Sequence, residues 1–149
     1  MSAIEILVGL LKVFEGCRLD AYQDQAGVWT IGYGETLDIV EGMVWTQEQA
    51  DSRLLARAQE FLNQVIDRCP ELSYENPYRQ AACASLAYNI GIEGFAGSTV
   101  CRQTTAMNYE LAAAAFVLWD KVRINGVLTV SKDLIERRES ESKTYMTVC

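Results

Sequence analysis

The feature that most limits the folds open to this chain is a change of texture near its start. Ile4, Leu7, Val8, Leu10, Leu11 and Phe14 recur at helical spacing, so residues 3–14 read as an amphipathic helix. Residues 16–45 then hold five of the ten glycines among short alternating runs of tyrosine, tryptophan, valine and isoleucine. Such a stretch reads as a small antiparallel sheet with tight turns. From Thr46 the pattern returns to helix and stays there. The expected class is α+β, mainly helical, with a small antiparallel β lobe over about residues 15–45. The larger helical lobe, over about residues 46–149, takes in the N-terminal helix. A chain of 149 residues has the size of one domain. Two lobes of unlike texture leave a cleft between them, and ligand sites favour such junctions.

Local signals set the expected boundaries. Gly16 suits the C-terminal end of the first helix. Thr46 and Gln49 form a capping box, opening a helix that should run to about Asp67 and stop before Pro70. Asn76-Pro77 starts the next helix, which should end near Gly91. Ser98 is expected to cap a short helix, Asn108 another through Trp119, and Ser131 a last one to about Tyr145. Residues 123–129, with Asn125-Gly126 inside, read as a loop with a turn.

The chain has no histidine. That excludes a Ser-His-Asp or Cys-His nucleophile pair, a two-His zinc site and an imidazole proton shuttle. Proton transfer near neutral pH is left to carboxylates, lysine, tyrosine or a perturbed cysteine. Thirteen basic and 20 acidic residues give a net charge of −7, which argues against a nucleic-acid partner. The adjacent Arg137 and Arg138 could form a local basic patch, or simply a solvated helix face. Five cysteines without regular spacing read as free thiols in a reducing compartment. The first residues carry Glu5 and Lys12 within the apolar run and lack a basic leader and cleavage site, so neither a signal peptide nor a membrane span is expected.

Three polar residues in FEGCRLDAYQD…GVWTIGYG could carry chemistry: Glu15, Asp24 and Thr30. Glu15 ends the apolar helix where it meets the β lobe, and a poorly solvated carboxyl there would suit a general acid. Asp24 precedes the short loop Gln25-Ala26-Gly27. If Asp24 pairs with Val28, Thr30 is its diagonal neighbour, roughly 7–8 Å away, and the two could hold one water. Val28, Thr30, Gly32 and Gly34 would share a face with little bulk, open to a large substrate. Two carboxylates at a cleft fit glycoside hydrolysis. The bland alternatives are a surface charge at a helix end, a turn former and a strand filler.

The same segment resembles the active-site segment of the phage-type lysozymes, or endolysins, related to those of phage T4 and the lambdoid phages. That family carries a Glu–Asp–Thr triad with separations of nine and six, the separations of Glu15, Asp24 and Thr30. GMVWTQEQADSRLL resembles the entry to the family's long interlobe helix, SLAYNIGIEGFAGSTVCR its aromatic-Asn-apolar-Gly stretch, and LIERRESE its closing helix. Three departures stand out: Glu35 where the family usually has histidine, Asp133 for a usual glycine, and an acidic balance where many relatives are basic. Glu35 would add an acidic group near the site and bear on its pH dependence.

The resemblance implies a lysozyme-like fold and hydrolysis of the β-1,4 bond between N-acetylmuramic acid and N-acetylglucosamine in peptidoglycan. Glu15 would be the general acid, with Asp24 and Thr30 positioning the attacking water. Arg137 or Arg138 would pair with the acid, and Tyr88, Asn89 and Ser98 would line the cleft. No metal or organic cofactor is called for, no nucleic acid or membrane insertion is expected, and a monomer would suffice. The enzyme would wait in the host cytoplasm until a holin lesion lets it reach peptidoglycan in the periplasm. A lytic transglycosylase, which needs only one glutamate, and a catalytically inactive murein-binding module are the rival readings.

Overall fold

The computed structural model describes residues 1–148. Helix α1 (Ala3–Glu15) starts where the Ser2 hydroxyl accepts from the Glu5 amide, and it buries Ile6, Leu7 and Leu11. It ends at Gly16, whose φ of +63° turns the chain out of the helix. Strands β1 (Arg18–Gln23) and β2 (Trp29–Gly32) pair antiparallel, with Tyr22 opposite Thr30 and Gln23 opposite Trp29. Residues 43–45 add a short third rung, as the amides of Ala21 and Trp45 bond to the carbonyls of Met43 and Leu19.

Helix α2 (Gln47–Arg68) opens on the expected capping box, with both reciprocal Thr46–Gln49 bonds formed. Ala50, Leu54, Ala58, Leu62 and Val65 make its buried stripe. Helix α3 (Pro77–Ile90) begins at Asn76-Pro77 and buries Ala81 to Ala87 without a break. Unlike the others it has no polar face, because α1, α2 and the last helix pack round it. Its alanines, Ser85 and Cys83 let those neighbours approach closely. The short helices α4 (Ile92–Ala96), α5 (Thr99–Thr105) and α6 (Tyr109–Ala115) follow.

Two expectations need correction beyond this point. Asn108 makes no side-chain cap, and its helix ends at Ala115 with a 3-10 turn over Phe116–Leu118. Residues 123–129 are not a loop but most of a β-hairpin, β3 (Lys121–Ile124) and β4 (Val127–Val130). Asn125 and Gly126 both have positive φ, +50° and +80°, the two-residue turn whose twist matches the strands. The hairpin extends from the body with Val122, Ile124, Val127, Leu128 and Val130 exposed. Helix α7 (Lys132–Tyr145) is capped by Ser131 and closes the fold against α3.

Cys69, Cys83 and Cys101 are buried free thiols and Cys17 is an exposed one, while Cys149 lies outside the described residues. No described helix is long and apolar enough to cross a membrane.

Candidate active site

Glu15 occupies the last turn of α1, where the helical body meets the β lobe. Its carboxyl is one-fifth exposed. One oxygen, Oε1, accepts from Arg137 Nη1 at 2.6 Å. The other, Oε2, rests against Gly34, where an added Cβ would lie 3.5 Å from it at a φ of +87°. A side chain at residue 34 would be strained by that φ, while its Cβ would meet Glu15 only in ordinary van der Waals contact, so glycine there serves the backbone turn that brings residue 34 beside Glu15.

Arg137 is the partner that the sequence left open. It is buried, with Nε donating to Glu141 Oε2 at 3.1 Å, Nη2 to the Ser85 carbonyl at 3.0 Å, and its guanidinium 4.8 Å from the Phe14 ring centroid. Arg138 faces another way: Nη2 donates to Asn89 Oδ1 at 2.8 Å, and Nε lies 2.8 Å from Glu141 Oε1, off hydrogen-bonding angle. Neither arginine forms a basic patch or a solvated helix face, since both are buried. Glu141 is fully buried, and that burial pushes its carboxyl up from the ordinary glutamate range despite two arginines beside it. The cluster orients Arg137; its desolvation cost offsets much of the attraction.

Asp24 and Thr30 sit on the β1–β2 hairpin. The Asp24 amide bonds to the Val28 carbonyl at 2.9 Å, continuing the ladder, so Thr30 is its diagonal neighbour as expected. Asp24 Oδ1 accepts from the amides of Ala26 and Val28, both at 2.9 Å, which fixes the carboxyl through the turn. Oδ2 has no bond among the described residues. The Thr30 hydroxyl donates to the Val28 carbonyl at 2.9 Å, leaving its oxygen as an acceptor. The low-bulk face read from the alternation is not open: Thr30 is only 4% exposed, and the Trp45 ring fills the space over Gly32. A Cβ at Gly32 would lie 2.9 Å from that ring.

Tyr88 is half-buried and donates to the Tyr33 carbonyl at 2.8 Å, next to Gly34. Burial first, then the charges of Glu15 and Glu35, raise its hydroxyl and keep it a neutral donor. Asn89 is exposed and fixed by Arg138. Ser98 does not line the cluster. It is buried as the cap of α5, donating to the Phe95 carbonyl and accepting from the Cys101 amide.

Glu35 departs most from expectation. Its carboxylate is almost fully buried and held by Arg53 at 2.9 Å, Arg57 at 2.8 and 3.1 Å, and the Thr36 and Leu37 amides. Burial raises its titration point, but the Arg57 and amide bonds outweigh that and lower it. The charge expected to act on the acid is thus neutralised by α2. Glu35→Gln should cost about 1–3 kcal/mol of stability at neutral pH, the worth of hydrogen bonds to a charged group. Because the folded carboxyl titrates below the unfolded one, this stabilisation is present above the ordinary glutamate value. It fades as pH falls through the folded value. Urea titrations of both proteins from neutral to strongly acid pH should therefore converge; a constant gap would refute it.

Sequence reasoning missed Ser85, Glu141, Arg53 and Arg57. Only Glu141 left a signal, standing four residues after Arg137 on the same helical face.

The chain matches the family model described as phage lysozyme over residues 12–141. It is 40% identical over 139 residues to an endolysin of Acyrthosiphon pisum secondary endosymbiont phage 1, covering 91% of this chain and 92% of that one. It is likewise 40% identical over 145 residues to the endolysin of Salmonella phage P22, covering 92% of each. Among solved structures, the endolysin from Escherichia coli O157:H7 phage FAHEc1 superposes with a TM-score of 0.87 at 33% identity, covering 98% of this chain and 94% of that one. The muramidase domain of SpmX from Asticaccaulis excentricus gives 0.86 at 35% identity, covering 95% of each. Family model, relatives and fold agree: the chain belongs to the phage lysozyme family and is an enzyme of the lysozyme type.

Proposed function

We propose that this enzyme hydrolyses the β-1,4 bond between N-acetylmuramic acid and N-acetylglucosamine of bacterial peptidoglycan. The observation that carries the reading is the Glu15–Arg137 pair beside Gly34, a carboxyl placed on rigid elements at the junction of the lobes. Glu15 gives its proton to the departing glycosidic oxygen. Arg137 holds Oε1 and stabilises the carboxylate left behind. Water attacks the sugar carbon, and its oxygen forms the new C–O bond as the old one breaks. Asp24 Oδ2 and the Thr30 oxygen are both acceptors, so together they can take the two hydrogens of one water and turn a lone pair toward that carbon. Asp24 removes the water's proton. This single displacement fits carboxyls roughly 6.5–9.5 Å apart. In this reading the protein lyses the host at the end of a phage cycle, waiting in the cytoplasm until a holin lesion admits it to the wall.

Mass analysis of muropeptides from purified sacculi tests the chemistry. Reducing ends are expected; 1,6-anhydro ends would mean a transglycosylase, and intact sacculi a binding module. Salt gives a second check. A net charge of −7 facing an anionic wall should slow encounter at low ionic strength, and buried Arg137 and Arg138 offer no compensating patch. Screening shortens that repulsion from roughly 30 Å at 0.01 M to roughly 10 Å at 0.1 M. Sacculus turnover should rise or hold over this range, and a steep fall would contradict the argument.

A further inference from the structure

We propose that the outer face of the first half of α2, with Trp45 at one end, is a second saccharide-binding groove, separate from the Glu15–Asp24–Thr30 site. The groove has a volume of about 630 Å³ and is walled by Trp45, Glu48, Gln49, Ser52, Arg53 and Ala56. That size suits a small-molecule site of roughly 300–1,000 Å³. None of the three residues placed in the reaction lines it.

Its chemistry selects the ligand. The Trp45 ring is wedged on the β2 backbone, in space that only glycine at residue 32 leaves free, with the Arg53 guanidinium 5.8 Å from its centroid, so the half-exposed indole is held fixed at the end of the groove. The capping box engages the Gln49 carbonyl oxygen and leaves its amide NH2 available. Ser52 and Glu48 have no side-chain bonds among the described residues. Arg53 gives Nη1 to Glu35, and that carboxylate offsets its charge. A strongly anionic ligand would thus meet a weakened cation and the Glu48 carboxylate, and a purely apolar one would strand the polar rim. A pyranose fits both parts, with a C–H face for the indole and hydroxyls that donate and accept. Such a groove grips a glycan strand away from the cut and raises the local concentration of cleavable bonds. Naming murein as that glycan rests on the proposed function; the saccharide class does not.

The test uses the Glu15→Gln protein, labelled with nitrogen-15 and titrated with N,N′,N″-triacetylchitotriose. The Trp45 indole N–H and the Gln49 and Ser52 amides should shift saturably. Ser52→Arg and Ala56→Phe, exposed helical positions, should abolish those shifts and spare any at Asp24 and Thr30. In the otherwise unaltered enzyme the same two substitutions should raise KM for intact sacculi about 3- to 10-fold and leave kcat on short soluble fragments unchanged. A silent Trp45 resonance, or an unchanged KM in both variants, would overturn the groove. Intact shifts, together with an otherwise unaltered enzyme (Glu15 retained) that cleaves no murein, would uphold the groove and overturn the muramidase reading.

Discussion

Glu15→Gln should cut turnover of purified sacculi about 10²–10⁴-fold, the usual worth of a general acid, while the protein folds as before. A sugar alkoxide is a poor leaving group, and no other described carboxyl lies against Gly34 and Arg137. Glutamine keeps the shape, and its amide oxygen can still accept from Arg137, so the loss isolates the proton. Asp24→Asn keeps the turn acceptor for the Ala26 and Val28 amides but loses the base and the charge facing an oxocarbenium-like transition state. It should cost at least about 10²-fold, and Thr30→Val less than Asp24→Asn, because only the water's second acceptor goes. Reducing-sugar release, read beside circular dichroism, checks the series. A fully active Glu15→Gln would remove the assignment of the acid.

Arg137→Ala should lower the unfolding free energy by about 3–5 kcal/mol, the cost of breaking a buried charge cluster from one side. The substitution removes the bonds to Glu15, Glu141 and the Ser85 carbonyl together. Glu141 keeps Ser85 and Arg138, but the Arg138 contact is off angle, so a buried carboxylate would be left poorly compensated. Arg137→Lys should recover only part, since an ammonium cannot span three acceptors in one plane. Urea unfolding monitored by tryptophan fluorescence measures the loss. A change below about 1 kcal/mol, the range of an exposed pair, would mean that Arg137 is not the hub.

Much of the local geometry of the candidate site was legible because its determinants are local. A ladder two rungs long fixes Asp24 against Thr30, and helix ends are set by caps three residues away, as at Thr46 and Ser131. The hairpin over residues 121–130 was legible too, since Asn-Gly sits between runs of valine, isoleucine and leucine. Reading only the turn missed the strands that the turn joins.

Other features have no local cause. Arg137 and Arg138 are neighbours about 100° apart on one helix, and either could face the acid until α7 docks on α3. Glu35 reads as a loose acidic charge until Arg53 and Arg57, 18 and 22 residues on, reach it from α2. Ser98 caps its helix as the sequence reads, and its buried hydroxyl is engaged within that turn. The sequence by itself determined the two textures, the helix ends and the spacing of Glu15, Asp24 and Thr30, because hydrogen bonds between near neighbours decide them. Only the tertiary structure decided which arginine holds the acid, where the charge of Glu35 goes and that Trp45 covers Gly32, because those depend on which buried surfaces meet.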